Sequence, residues 1–143
     1  MTNAQPIWRI QHSIQTTATP AAIWRVLVDV PGWKRWNRGI ETIELDGPFE
    51  AGTWFTMKPP GQAPLRSRLV DVRANEAFVD ETRVGDLVVT VAHRLEPLGA
   101  GRTRVTYEVE AAGPEASEVG PVVASDFPEV LAALAALVEG KSE

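Results

Sequence analysis

Between Ile7 and Thr16 polar and apolar residues alternate. Trp8, Ile10, His12 and Ile14 fall on one side, and Arg9, Gln11, Ser13 and Gln15 on the other. A period of two is the mark of a half-buried strand. At Thr19-Pro20 the period changes. Thr is a good helix cap and Pro a good first helical residue. Ile23, Trp24, Leu27 and Val28 then recur at helical spacing. Arg25 and Asp29 stand four apart on the wet side, placed to pair. Pro31-Gly32 ends this helix, and residues 33–37 predict a second, short helical turn.

From residue 40 to 111 the alternation returns in six runs, at 40–45, 53–58, 65–73, 77–84, 87–96 and 103–111. Turn residues separate them: Asp46-Gly47-Pro48, Ala74-Asn75-Glu76, Gly85-Asp86 and PLGAGR. Such short links join antiparallel strands, because a parallel crossover needs a dozen residues or more. The last segment returns to helical spacing, with Val123, Phe127, Val130, Leu131, Leu134, Leu137 and Val138 on one stripe. Pro128 lies inside it. The stripe passes through the proline without a change of phase. This predicts one long helix starting near Pro121 and kinked at Pro128, in preference to a shorter helix starting at Pro128. The order is strand, two short helices, six strands, long helix: an α+β chain whose one-faced sheet needs a helix to cover it.

Composition narrows the function. The chain has 143 residues, suited to a single domain over 1–143, with 44% hydrophobic and 23% charged residues and a net charge of −5. Its arginines are interleaved with acids, so there is no basic stripe for nucleic acid. Absence of Cys excludes disulfides, thiolate zinc and a Cys nucleophile. The start, MTNAQPIWRIQHS, is not that of a signal peptide. No run of about 18 apolar residues suggests a membrane span, and a cytoplasmic protein is expected. The Gly-rich pieces DGPFEAGTW and PLGAGRT lack the order of a phosphate loop, and no Ser sits in a nucleophile elbow.

Four stretches, TPAAIWRVLVDVPGWKRWN, LDGPFEAGTW, HRLEPLGAGRTRVTYEVEAAGP and DFPEVLAALAALVE, occur in an order that resembles the SRPBCC or START-like superfamily, in its polyketide cyclase/dehydrase-like branch. The resemblance implies a helix-grip fold: a curved seven-stranded antiparallel sheet wrapped around the long C-terminal helix. It also implies a hydrophobic cavity between sheet and helix for a lipid or other apolar small molecule, in a protein that is a monomer or homodimer. It does not imply one chemistry, since members include cyclases, carriers and receptors.

Hairpin register gives the candidate site. With Gly85-Asp86 as a two-residue loop, Val84 faces Leu87, Thr82 faces Val89, Asp80 faces Val91 and Phe78 faces His93. With the next hairpin centred near Ala100, Val91 faces Val109, His93 faces Tyr107 and Leu95 faces Val105. Strict alternation then puts Asp80, His93 and Tyr107 on the apolar, inward face. Extending it one hairpin further adds Arg68 beside Val70 and Val72. A bulge, for which Gly52 or Asn75 are candidate positions, would reverse a strand's faces. The topology implied by the resemblance also brings His12 close to Tyr107.

The cluster admits three readings: a hydrogen-bonded structural core, polar anchors for a ligand, or a catalytic group with His93 as general acid or base tuned by Asp80 and Tyr107. His12, His93 and Asp80 could supply three ligands to a metal, but nothing in their spacing requires one, and no metal or cofactor is expected. Phe55, Met57, Phe78, Phe127 and Leu131 either line a pocket or fill a core. Trp8 and Trp24 are assigned to the core. Trp33 and Trp36 share a side of their turn, sealing helix to sheet, with Trp36 the candidate for a cavity rim. The leading expectation is binding of an apolar or aromatic ligand through Trp36, Phe55, Met57, Arg68, Val70, Phe78, Asp80, Thr82, Val91, His93, Tyr107, Phe127 and Leu131. The alternatives are a cyclase, dehydratase or hydrolase using the same polar residues, and a protein-interaction module with a filled core.

Overall fold

The structure, a computed structural model, describes residues 7–140. Residues 1–6, part of the start read above for a signal peptide, lie outside the described residues, as do 141–143. Seven strands form one antiparallel sheet: β1 (Ile7–Thr16), β2 (Thr42–Leu45), β3 (Trp54–Lys58), β4 (Leu65–Arg73), β5 (Ala77–Val84), β6 (Leu87–Gly99) and β7 (Arg102–Ala112). The order across the sheet is β1-β7-β6-β5-β4-β3-β2. The chain thus runs as a meander from β2 to β7, and β1 closes onto β7.

Helix α1 (Pro20–Leu27) follows β1. The Thr19 side chain caps it by accepting from the Ala22 amide at 3.2 Å, and Ile23 and Leu27 are fully buried. A 3-10 helix, Val30–Arg35, comes next. Because α1 ends at Leu27, Asp29 is not the helical partner of Arg25. It pairs instead with Arg35, at 3.3 Å.

The predicted long helix is two helices, α2 (Ala116–Ala124) and α3 (Phe127–Val138). A proline ring inside a helix collides with the carbonyl four residues back and leaves one hydrogen bond unmade. Helix α2 ends at Ala124, and α3 restarts with Pro128 in its first turn, where the ring costs nothing; α2 begins at Ala116, ahead of the expected start, and keeps Pro121 in its interior. The Ser125 hydroxyl donates to the Val122 carbonyl at 2.8 Å, capping the end of α2. Phe127, Val130, Leu131, Leu134 and Ala135 are the buried face of α3. By length and composition the stretch Ala116–Val138 could cross a membrane, the one helix of that kind among the described residues. Here α3 packs its apolar side on the sheet.

The register of the central strands agrees with the hairpin reading. Phe78 faces His93 and Asp80 faces Val91, His93 faces Tyr107 and Val91 faces Val109, and Tyr107 faces His12. The β4–β5 pair departs from it. Leu69 faces Asp80 but Asp71 faces Val79, so Val70 is an extra residue in the ladder. This bulge sits neither at Gly52 nor at Asn75. It reverses the alternation of β4, so Ser67 and Leu69 are buried before it and Val72 packs inward after it.

Two glycines hold elements at distances a side chain would forbid. Gly113, at φ 132°, would drive a Cβ to 2.6 Å from the Asp86 carbonyl oxygen. Gly120 lets α2 lie against the Trp8 ring, where a Cβ would come to 2.1 Å from the indole. Trp8 is accordingly half-buried, at the margin of the core. Gly120→Ala is expected to destabilise the protein by about 1–3 kcal/mol through overpacking. Urea denaturation checks this, and the loss should shrink when Trp8 is shortened to Leu in the same chain.

Candidate functional site

The inner face of the sheet carries a chain of stacked rings. Trp33 lies on Phe78 at 5.9 Å, Phe78 on His93 at 3.9 Å and 10°, His93 against Tyr107 at 4.5 Å, and Tyr107 against Phe127 at 5.4 Å. Phe78, His93 and Tyr107 are neighbours across β5, β6 and β7, so the hydrogen-bonded register itself sets their order. Trp24 and Phe55 extend the group, at 6.3 Å from Phe78 and 6.1 Å from Trp33. Aromatic pairs at such distances stabilise beyond their buried area.

Phe49 belongs to this interior and was not singled out in the sequence. It lies between β2 and β3, in the turn-rich DGPFEAG, where composition suggests only a surface loop. Its ring meets Phe78 at 5.0 Å and Trp24 at 5.9 Å, edge to face in both cases. It is the one ring of the group held by neither helix nor strand. A lone large apolar residue inside a Gly/Pro turn was the available signal.

The polar residues sit beside the stack. Asp80 and His93 side chains are 13% and 10% exposed, with Asp80 Oδ2 at 3.8 Å from His93 Nε2. His93 Nδ1 lies 3.2 Å from the Phe78 carbonyl. A carbonyl only accepts, so Nδ1 carries the proton and Nε2 presents its lone pair toward Asp80. Burial raises the Asp80 pKa to about 7 and lowers that of His93 to about 3, with the Phe78 carbonyl opposing. It also pushes the Tyr107 hydroxyl up, helped by the Asp80 charge. Near neutral pH, His93 is therefore an uncharged acceptor. Asp80 is the group that gains or loses a proton there, which reverses the acid–base roles expected from the sequence. The Asp80 carboxyl, His93 Nε2 and the Tyr107 hydroxyl have no hydrogen-bond partner among the described residues.

Other candidates separate. Phe55 and Leu131 are buried, and Met57 and Val91 pack on the core from its edge. Thr82 shares a 2.6 Å hydrogen bond with Ser67. Trp36 is 7% exposed and lies against Trp33, 6.3 Å away, while Trp33 donates from Nε1 to the Leu27 carbonyl at 2.9 Å. Trp36 thus has packed side chains beneath it. Arg68 is a correction. The bulge at Val70 puts it on the outer face, 5.8 Å from the exposed Trp54 ring. Val70 is the bulged residue and shares no inward row with Val72.

His12 is half-buried and borders a surface groove of about 290 Å³, with Trp8 and Ile10 on one side and Pro121, Ala124 and Pro128 on the other. The cleft at Trp54 and the groove at His12 both open to the surface, and Tyr107 packs directly on Phe127 of α3 where an open cavity was expected. Among the described residues no group of three His, Asp or Glu side chains could hold a metal.

An antiparallel sheet of seven strands covered by C-terminal helices, with two short helical segments between β1 and β2, is a helix-grip fold. The chain belongs to the family described as polyketide cyclase/dehydrase and lipid transport, whose model matches residues 8–139. It is similar in structure to an aromatase/cyclase, Zhui from Streptomyces sp. R1128 (TM-score 0.80, 18% identity, covering 94% of each chain). It is also similar to a norcoclaurine synthase point mutant from Thalictrum flavum (TM-score 0.77, 17% identity, 97% of this chain and 98% of that one). A START superfamily protein from Mycobacterium smegmatis is a third (TM-score 0.74, 12% identity, 92% and 97%). No curated protein sequence matches the chain.

The two buried titrations act in opposite senses on stability. Asp80 has a raised folded pKa, so the folded state holds the extra proton and stability falls as pH rises from about 4 through 7. His93 has a lowered one, so stability is lost as pH falls from 6.5 toward 3. The wild-type profile should be nearly flat between, where the slopes cancel. Relative to wild type, Asp80→Asn should gain up to about 4 kcal/mol from pH 4 to 8, and His93→Gln a similar amount from pH 6.5 to 3. Denaturant titrations across pH measure both.

Proposed function

We propose that the chain binds a small molecule with an apolar or aromatic body and a hydroxyl or carbonyl group, in the interior between the sheet and the C-terminal helices. The observation that carries this reading is the cluster of Asp80, His93 and Tyr107 on one nearly buried face, with Asp80 and His93 3.8 Å apart and no fully buried polar atom left unpaired among the described residues, so that their free polar atoms stay within reach of a ligand. A few polar groups at the margin of an apolar interior are what fixes a ligand's orientation. A protonated Asp80 or the Tyr107 hydroxyl would donate to a ligand oxygen, and His93 Nε2 would accept from a hydroxyl. Rings from Phe78, Trp33 and Phe127 would cover the ligand's body.

The space is taken up by side chains, so binding requires one of them to move. Phe49 is the candidate, because its loop has no ladder to break. A ring leaving contact with Trp24 and Phe78 would be replaced by a ligand ring of the same kind. Structural relatives solved with dopamine and hydroxybenzaldehyde make a small aromatic body reasonable. A cytoplasmic carrier or sensor of such a molecule, including a lipid, is the form of this proposal without chemistry. The catalytic form has one observation in its favour: Asp80 has a pKa of about 7, where a proton carrier works best.

Calorimetric titration with 2-naphthol and with naphthalene tests the reading. The phenol should bind more tightly, and Tyr107→Phe or His93→Gln should remove that preference while leaving naphthalene binding in place. Phe49→Ala should tighten 2-naphthol binding roughly tenfold by removing the group that competes for the space. Equal affinity for the two probes in the wild type, or a preference that survives both polar substitutions, would sink the proposal.

A further inference from the structure

The outer face of β3, β4 and β5 carries a site with no part in the interior. Trp54 faces Arg68 across the β3–β4 ladder, and Arg68 faces Glu81 across the next. Arg66 is two residues before Arg68 on β4, and Arg83 two beyond Glu81 on β5. Side chains two apart on a strand share a face. The row therefore sets three guanidinium groups and one indole around a cleft of about 380 Å³, lined by Trp54, Arg66, Arg68, Glu81 and Arg83.

The members differ in how they are held. Arg66 donates to Asp46 Oδ2 at 2.7 Å and to the Thr56 hydroxyl at 2.9 Å, with its guanidinium 5.3 Å from the Trp54 ring. Arg83 is tied to Glu81 at 3.1 Å. Arg68 leans on the same indole at 5.8 Å and has no carboxylate partner among the described residues. Two cations are thus fixed by neighbours, while Arg68, opposite Glu81 in the ladder, makes no close ion pair, so the cleft sets three guanidinium groups against one carboxylate in a chain of net charge −5. Trp54 is 42% exposed, whereas Trp24, Trp33 and Trp36 are buried.

We propose that this cleft binds a planar aromatic anion, a ring bearing a carboxylate or phosphate. A guanidinium fork matches the two oxygens of either group. The indole and the flat guanidinium faces offer a stacking surface for the ring. The volume lies within the range of small-molecule sites. A cationic ligand would meet three like charges, and a purely apolar one would cover Arg68 without pairing it.

The experiment is a calorimetric titration of the full chain with AMP, benzoate, inorganic phosphate and benzyl alcohol, the last two carrying the charge alone and the ring alone. AMP, benzoate or both should bind with Kd on the order of 1 mM or below, more tightly than phosphate or benzyl alcohol. Preference for AMP assigns the phosphate source, and preference for benzoate the carboxylate. Arg68→Ala and Trp54→Ala should each weaken that binding roughly threefold to tenfold. Both side chains project to solvent, and circular dichroism confirms that the variants stay folded. Trp54→Tyr should retain most of the affinity. The proposal is overturned if neither AMP nor benzoate binds by about 10 mM, if phosphate alone binds as well as AMP, or if both alanine variants bind like wild type.

Discussion

Phe78, His93 and Tyr107 stand in one row across β5, β6 and β7, and the rest of the interior is arranged around that row. Their order follows from backbone hydrogen bonds, since a side chain in a ladder cannot change face without a slip of the whole strand. Once the row faces inward, rings from outside the sheet close on it: Trp33 from the 3-10 helix, Phe127 from α3 and Phe49 from a loop. Burial of the row also sets its chemistry. The site that takes the charge off His93 at neutral pH brings Asp80 close to its titration point.

Packing and polarity pull in different directions here. A filled aromatic interior lowers the free energy of the empty protein, yet it takes Asp80, His93 and Tyr107 out of most of their water, which raises it. The cost is bearable because each group can stay uncharged: His93 as the neutral tautomer held by the Phe78 carbonyl, Asp80 as the acid, Tyr107 as the phenol. A ligand that supplies the missing hydrogen bonds would lower the energy of the same arrangement. The loop position of Phe49 would make exchange of its ring for a ligand ring a local event rather than an unfolding of the sheet.

The two faces of the sheet differ in character because of one residue. The extra residue at Val70 reverses the alternation of β4. Without it Arg68 would point into the aromatic interior, where an unpaired guanidinium is prohibitively costly. With it Leu69 fills the interior and Arg68 joins Trp54, Arg66 and Arg83 on the outside. The bulge thus keeps the interior free of cations and collects them on the opposite surface.

The sequence by itself determined what depends on local period and short turns. Two-residue alternation, the Gly85-Asp86 loop and the turn at Ala100 were enough to place Asp80 opposite Val91 and His93 opposite Tyr107 before any coordinates. The Thr19 cap and the order of elements were equally legible. Tertiary structure decided what local text cannot express. A bulge leaves no composition mark at Val70, so Arg68 was assigned to the wrong face. The break between α2 and α3, just ahead of Pro128, was concealed by an unbroken apolar stripe. Phe49, in a glycine-rich turn without local period, carries no sequence mark of its contacts with Phe78 and Trp24. Whether the interior is open or closed is a matter of how rings from distant segments fit together. That fit rests on packing in three dimensions, where residues far apart in the chain compete for the same volume.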